Sequence, residues 1–382
     1  MIKIETMTIL IVDDMKSMRL TIRKMLQNLN IGKRLKFAEN GRDALAALKE
    51  TRCDLVIMDW NMPVMKGFEA LEKIRQDKQL RDIPVIMVTA ESERDIVSEV
   101  AESEVDGYLL KPLTLASLDE KIGTVVERAN QPDEATVCRI RARNLEEQGD
   151  IEGAIEQIRE ALRYKPNASR LIRIMGLLHF KVNKPAIAEK CLLKAASVNR
   201  QDTITRAHLS DYYLNAGQLE KAGRIMLEIL SLSVRYNDPA IELAEKLLKG
   251  KSRQLAIEIF SKVILRAKRS NLRREQIIDL CLGYNELDYP QRLLEESIKE
   301  NPANYDMIYK SGVVALDAGD TEKALKHFMT VDRHVRGHIE AKFNIAKLFF
   351  QNGKVLQADE YLNQVLRTDP KHTEALELRR ML

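Results

Sequence analysis

Five side chains of complementary chemistry stand where apolar runs stop. Asp13 and Asp14 follow Ile9–Val12, Asp59 follows Leu55–Met58, Thr89 follows Val85–Val88, and Lys111 follows Tyr108-Leu109-Leu110. Adjacent carboxylates repel, so both ionise comfortably only beside a cation. With Asp59 they form a hard oxygen-donor set suited to Mg2+, which takes few carboxylates and keeps several waters. Lys111 offers a point charge, and Thr89 a hydroxyl, to an anionic group held there. That is the equipment of phosphoryl transfer, which needs little beyond a nucleophile, a metal and counter-charges held in line. A carboxylate nucleophile gives a reactive acyl phosphate, and the trapped charge then changes which conformation is favoured. One aspartate at a strand end is as readily a turn former. Matching groups at four strand ends are not explained that way.

The elements that must position these groups follow from the same runs. Apolar residues without alternation mark strands buried on both faces of a parallel sheet. Ligands of such sheets bind at the carboxyl ends of the strands, where all five groups fall. The pattern predicts strands near 8–12, 34–38, 55–59, 84–88 and 107–110, with helices over 17–29, 41–50, 67–76, 94–102 and 115–129. Asn61, Pro63 and Gly67 form a loop before the helix-spaced Phe68, Leu71 and Ile74. Strand–helix alternation of this kind implies an α/β, doubly wound, five-stranded parallel sheet with right-handed crossovers.

The set Asp13-Asp14, Asp59-Trp60-Asn61-Met62-Pro63, Val88-Thr89-Ala90-Glu91 and Gly107-Tyr108 through Lys111-Pro112 resembles the receiver domain of two-component response regulators, most closely the single-domain chemotaxis receivers. The resemblance spans roughly residues 5 to 128 and implies a flavodoxin-like fold. It further implies that Asp59 takes a phosphoryl group from a phosphohistidine on a sensor histidine kinase. Asp14, the Asp59 carboxylate and the Asn61 carbonyl would bind Mg2+, with Asp13 helping through water. Lys111 would pair with the phosphoryl group, Thr89 beside Ala90 would move onto it, and Tyr108 would swing inward. Lys111-Pro112 would be cis, as an X–Pro bond tolerates. Asn61 and Glu91 flank Asp59 and Thr89 where an attacking water would pass, so they are expected to set the lifetime of the aspartyl phosphate. The chain is expected to be no enzyme beyond its own phosphorylation and dephosphorylation.

Composition narrows the rest. The chain has 382 residues, 45% hydrophobic and 31% charged, with a net charge of +4, an ordinary globular balance long enough for two or more domains. No apolar run approaches the eighteen or so residues of a membrane span, and no basic-then-apolar leader opens the chain. Cys53, Cys138, Cys191 and Cys281 are scattered, and the six histidines show no ligand spacing, which argues against a disulfide framework or a zinc site. A reducing cytoplasm is the expected location. Trp60, the single tryptophan, adjoins Asp59.

Asn130-Gln131-Pro132-Asp133 closes the last receiver helix, because a proline disfavours helix at the residue before it. The receiver is therefore expected over 1–130 and a second domain over 131–382. There the chain repeats every 34 residues, with Gly149-Asp150 recurring as Gly319-Asp320 and small residues recurring at Ala154, Ala188, Ala222, Ala256, Ala324 and Ala358. Seven units run from 135 to 372, and a capping helix begins at Thr373. This resembles the tetratricopeptide repeat, an all-α helix–turn–helix solenoid whose concave surface takes an extended peptide or helix. Lys251 replaces the turn glycine of the fourth unit. Pro290 takes the packed-alanine position of the fifth, so a kink or break is expected near Asn285 to Pro290.

The stretch Arg266–Arg274 holds five basic residues in nine. The overall surplus is too thin for a general nucleic-acid surface, so a solvated loop or a contact for an acidic protein is expected. No helix-turn-helix signature follows the receiver, hence no DNA-binding domain. Two functions fit. In one, phosphorylation of Asp59 exposes, hides or dimerises the repeats, so that they bind a protein ligand or a second copy under control. In the other, the chain is a phosphate sink or relay whose repeats only dock the kinase.

Overall fold

A computed structural model describes residues 1–90, 105–250, 252–266 and 271–382. Five parallel strands, β1 (Thr8–Val12), β2 (Arg34–Ala38), β3 (Leu55–Asp59), β4 (Val85–Ala90) and β5 (Gly107–Lys111), form one sheet in the order β2-β1-β3-β4-β5. The helices are α1 (Lys16–Asn28), α2 (Gly41–Glu50), α3 (Gly67–Gln76) and α4 (Leu115–Asn130). The expected helix at 94–102 lies outside the described residues.

Continuous apolar strands are explained by what covers each face. Leu10, Val12, Val56 and Met58 point into a layer with Ala44 and Leu48 of α2 and Ala70, Leu71 and Ile74 of α3. Ile9, Ile11, Ile57 and Ile86 alternate with them and face Ile22 and Leu26 of α1 and Leu118, Ile122 and Val125 of α4. Successive strand residues point to opposite faces, so only strands covered on both sides read as unbroken runs. β2, at one edge, is mostly exposed. The sheet is a rigid base whose carboxyl end holds the chemistry.

The chain packs as two compact units, Met1–Tyr212 and Tyr213–Leu382. Within the first, a set of charges ties α5 (Glu134–Glu147) to the receiver. Arg143 grips Asp82 with both terminal nitrogens at 2.8 and 2.9 Å, and Arg81 pairs with Glu147. The connection is short and ordered. Asn130 holds both backbone groups of Ile2, at 2.6 and 2.8 Å, and Asp133 caps α5 by accepting from the Thr136 amide at 2.8 Å.

Asp133 also meets Lys165 at 2.6 Å, and this contact holds its carboxyl down at about 2. A depressed carboxyl pKa contributes stability above the unfolded value, near 3.9, which is lost as pH falls through the folded one. The Thr136 amide should therefore lose hydrogen-exchange protection between about pH 4 and 2, while an amide inside α6 (Ile151–Tyr164) keeps its own. Equal losses at both would deny the cap this role.

Beyond α5 the described residues carry only helices. First helices of successive pairs start at Ser169, Thr203, Asn237, Asn271, Tyr305 and Ile339, and the final helix at Thr373. Each start is 34 residues from the last. The second helices start at Ile151, Pro185, Leu219, Arg253, Asp288, Thr321 and Val355. The recurring alanines are fully buried, which lets paired helices approach. Glycines at the intervening turns, such as Gly149 and Gly319, sit at positive φ (88° and 83°), where a side chain is strained.

The fifth unit corrects one expectation. Its second helix runs Asp288–Glu300, so Pro290 lies in the first turn, where no intrahelical hydrogen bond is lost. The helix starts one residue late and continues unbroken, with Pro290 packed inside. Lys251 and residues 267–270 of the basic stretch lie outside the described residues. Its remaining basic side chains are engaged within the chain: Arg266 with the Ser231 carbonyl, Arg273 with Asp238, and buried Arg274 with Glu300 at 2.6 Å. Among the described residues no helix is long and apolar enough to cross a membrane.

Candidate functional site

Sheet register brings the chemistry level. Asp59 pairs with Val88, Thr89 with Leu110, and Ala90 with Lys111. Asp13 follows the last residue of β1 and is buried (1% exposed), as is Asp59 at the end of β3 (6%). The Lys111 ammonium bridges them, 2.6 Å from one Asp59 oxygen and 3.2 Å from one of Asp13. The other Asp59 oxygen accepts from the Asn61 amide at 3.1 Å, and the other Asp13 oxygen from the Met15 amide at 2.8 Å.

Two buried carboxylates thus share one ammonium, and the site keeps a negative excess. Burial lifts the Asp59 carboxyl above the usual aspartate range; the Lys111 contact pulls it down, and neighbouring Asp13 pushes it up again. Burial works against the Lys111 charge, yet its hydrogen bond to Asp59 and the two carboxylates prevail and hold it above the ordinary lysine value. Lys111 is therefore charged at any physiological pH.

The remaining expected residues divide. Thr89 is buried and its hydroxyl has no hydrogen-bond partner among the described residues. A buried hydroxyl left unmatched is costly unless something meets it, and an anionic group beside Asp59 would. Lys111-Pro112 is cis. Tyr108 is exposed (43%), with the Lys121 ammonium 5.5 Å from its ring centre. Ala90 ends β4 through its backbone pairing with Lys111. Asp14 and Asn61 are exposed beside the buried pair. Glu91 lies outside the described residues. The ring of Trp60 is buried against Phe68 at 5.7 Å.

Among the described residues no three of His, Cys, Asp and Glu are already gathered as an ion site. Lys111 meets the buried pair, and Asp14 is exposed beside it. The donors nevertheless fit a hard divalent cation. All are oxygens, the buried pair carries excess negative charge, and one or two carboxylates are what Mg2+ uses.

Two positioning residues had weak sequence signals. Arg19 lies in α1, buried on the face of Ile22 and Leu26, and donates to the Asp13 carbonyl at 2.7 Å while pairing with Glu39 at 2.5 Å. The signal was an arginine three residues before Ile22 on an apolar stripe. Gly67 starts α3 with its amide on the Trp60 carbonyl at 2.9 Å, and a Cβ there would stand 2.0 Å from the Asp59 carbonyl oxygen. The glycine lets α3 come up against the end of β3.

A parallel doubly wound sheet with these groups at its carboxyl end is a receiver fold. The family description "response regulator receiver domain" matches residues 9–123, and "tetratricopeptide repeat" matches residues 315–382. The chain belongs to the response regulator receiver family. It is 42% identical over 124 residues to chemotaxis protein CheY-3 of Vibrio cholerae, covering 32% of this chain and 95% of that one. It is 43% identical over 124 residues to chemotaxis protein CheY of Pseudomonas aeruginosa, covering 32% and 99%. The solved chemotaxis response regulator CheY4 of Vibrio cholerae is 32% identical, covering 31% of this chain and 98% of that one, with a TM-score of 0.29.

Proposed function

We propose that this chain is a phosphorelay response regulator in which Asp59 accepts a phosphoryl group from a sensor histidine kinase and the switched receiver governs protein binding by the helical repeats. The observation that carries this reading is the Lys111 ammonium held between Asp59 and Asp13 at the carboxyl end of the sheet. An Asp59 oxygen attacks phosphorus, the P–O bond forms, and the P–N bond breaks as the imidazole leaves with its electron pair. Mg2+, held by Asp13, Asp14, Asp59 and the Asn61 carbonyl, would neutralise charge developing on the phosphoryl oxygens. Lys111 keeps its charge throughout and turns from the carboxylate towards the new phosphoryl group. The unpartnered Thr89 hydroxyl donates to the same group, and Tyr108 leaves the surface as Thr89 moves. Asn61, with Glu91, sets how readily water reaches the acyl phosphate.

The output is a protein contact, since helix pairs of this kind stack into an extended binding surface. The protein acts in the cytoplasm, is no enzyme towards other substrates, and takes a peptide, a protein or its own second copy as ligand. The second reading, a phosphate sink whose repeats only dock the kinase, is separated from the first by Asp59→Asn. Protein captured by the full chain should change by about tenfold or more between the free and beryllofluoride-treated states and stay fixed in Asp59→Asn. Capture that ignores beryllofluoride, with kinase phosphate still drained by the unaltered chain, would favour the sink and dismiss the adaptor.

A further inference from the structure

We propose that Arg19 is a positioning residue for divalent cation binding: its guanidinium pins the Asp13–Asp14 turn, which sets where the Asp14 carboxylate stands beside the buried pair. The inference rests on the proposed function, in which Asp13, Asp14 and Asp59 hold Mg2+, and it names a residue outside that set on which the affinity depends. Three contacts converge on this one buried side chain. One terminal nitrogen of Arg19 donates to the Asp13 carbonyl at 2.7 Å and, at longer range, to the Asp14 carbonyl at 3.3 Å. The other pairs with Glu39 at 2.5 Å, the arginine side chain being 10% exposed and the glutamate 68%. Glu39 lies between the end of β2 and Asn40, the N-cap of α2. The Asp13 amide meets the Ala38 carbonyl at the same strand end, at 3.3 Å. The acid turn is therefore held through both carbonyls from α1 and through its amide from β2.

Because Arg19 takes both carbonyls, the turn offers a cation its carboxylates. That of Asp13 is fixed directly, by Lys111 at 3.2 Å and the Met15 amide at 2.8 Å. The Asp14 side chain is exposed, so its place follows from the backbone that Arg19 pins. A planar fork can serve the two carbonyls and the Glu39 carboxylate at once, which a single ammonium does less well. Groups that hold metal ligands in place without touching the metal are typically worth about 10–100-fold in affinity. Charge alone would act the other way. A guanidinium next to a cation site repels the cation, so its removal would tighten binding if charge decided the matter. Positioning predicts the opposite sign.

The test is titration of the full chain with Mg2+ at fixed ionic strength and without phosphodonor, followed by the fluorescence of Trp60, which adjoins Asp59 and is buried against Phe68. Arg19→Gln should weaken Mg2+ binding by about tenfold or more, with urea unfolding run alongside to show that the variant is folded. Arg19→Lys keeps the charge and one donor for the Asp13 carbonyl, and should recover part of the loss. Glu39→Gln removes the carboxylate that orients the fork, and should weaken binding by about threefold, the worth of one exposed charge pair. If the unaltered chain shows no saturable response to Mg2+, the proposed function falls and this inference with it. If the unaltered chain binds and Arg19→Gln binds as tightly or more tightly, this inference alone is overturned. Should Arg19→Gln fail to fold, unchanged affinity in both Arg19→Lys and Glu39→Gln would overturn it instead.

Discussion

Lys111→Ala is expected to lose phosphoryl uptake by about a hundredfold or more and to fold less stably at neutral pH. Among the described residues Lys111 is the one cation that the buried carboxylates of Asp13 and Asp59 both touch, at 3.2 and 2.6 Å. Removing one partner of a fully buried pair costs about 3–5 kcal/mol, because the other charge stays behind without compensation. Lys111 keeps 23% of its side-chain surface exposed, so water can enter the gap, and a loss of about 2 kcal/mol is the reasoned figure. The deficit has a definite pH dependence. Without the ammonium, the Asp59 carboxyl, which burial already lifts, rises further. A raised carboxyl pKa means that the folded state binds the proton more tightly, so stability is regained as pH falls. The gap to the unaltered protein should narrow from about pH 7 towards about pH 4. Urea unfolding at both pH values would show it. A variant as stable as the parent at neutral pH, and still phosphorylated, would mean that the pair is held by something other than Lys111.

Phe328→Ala should be the most damaging single change in the second compact unit, at about 3–5 kcal/mol. Phe328 is fully buried in the second helix of its pair, Thr321–His334, among Ala315, Ala324, Ile345, Leu348 and Ala358. Its ring lies 5.6 Å from that of Tyr309, and a Cβ at Gly312 would come within 2.6 Å of it. The glycine and the small alanines make room for this one large ring, so truncation leaves a cavity that the helices cannot close. Repeat arrays are stabilised by each pair and its neighbours. Hydrogen exchange should therefore quicken in the helices Tyr305–Asp317 and Ile339–Gln351 together with 321–334. A loss below about 1 kcal/mol would show that the site collapses to fill the gap.

How much was legible follows from where each signal sits in the chain. β1 and β3 could be read because strands covered on both faces need apolar residues at every position, and the charged residue ending each run marks the carboxyl edge. The helix pairs could be read because their starts recur at one spacing. Features that depend on distant parts meeting were not legible. Nothing local in Arg143 or Glu147 announces that they grip Asp82 and Arg81. Gly67 read as a turn residue, while its need comes from the close carbonyl of Asp59. Pro290 read as a helix breaker because its alignment fixed its place in the repeat but not the late start of its helix.

The claim on which the account rests is that Asp59 carries the phosphoryl group. Incubating the full chain with acetyl phosphate and Mg2+, then reducing acyl phosphates with borohydride and mapping peptides by mass spectrometry, tests it most directly. The account predicts one modified residue, Asp59, dependent on Mg2+ and absent from Asp59→Asn. A phosphoryl group found on any other residue, or none found while the chain is folded, would contradict it.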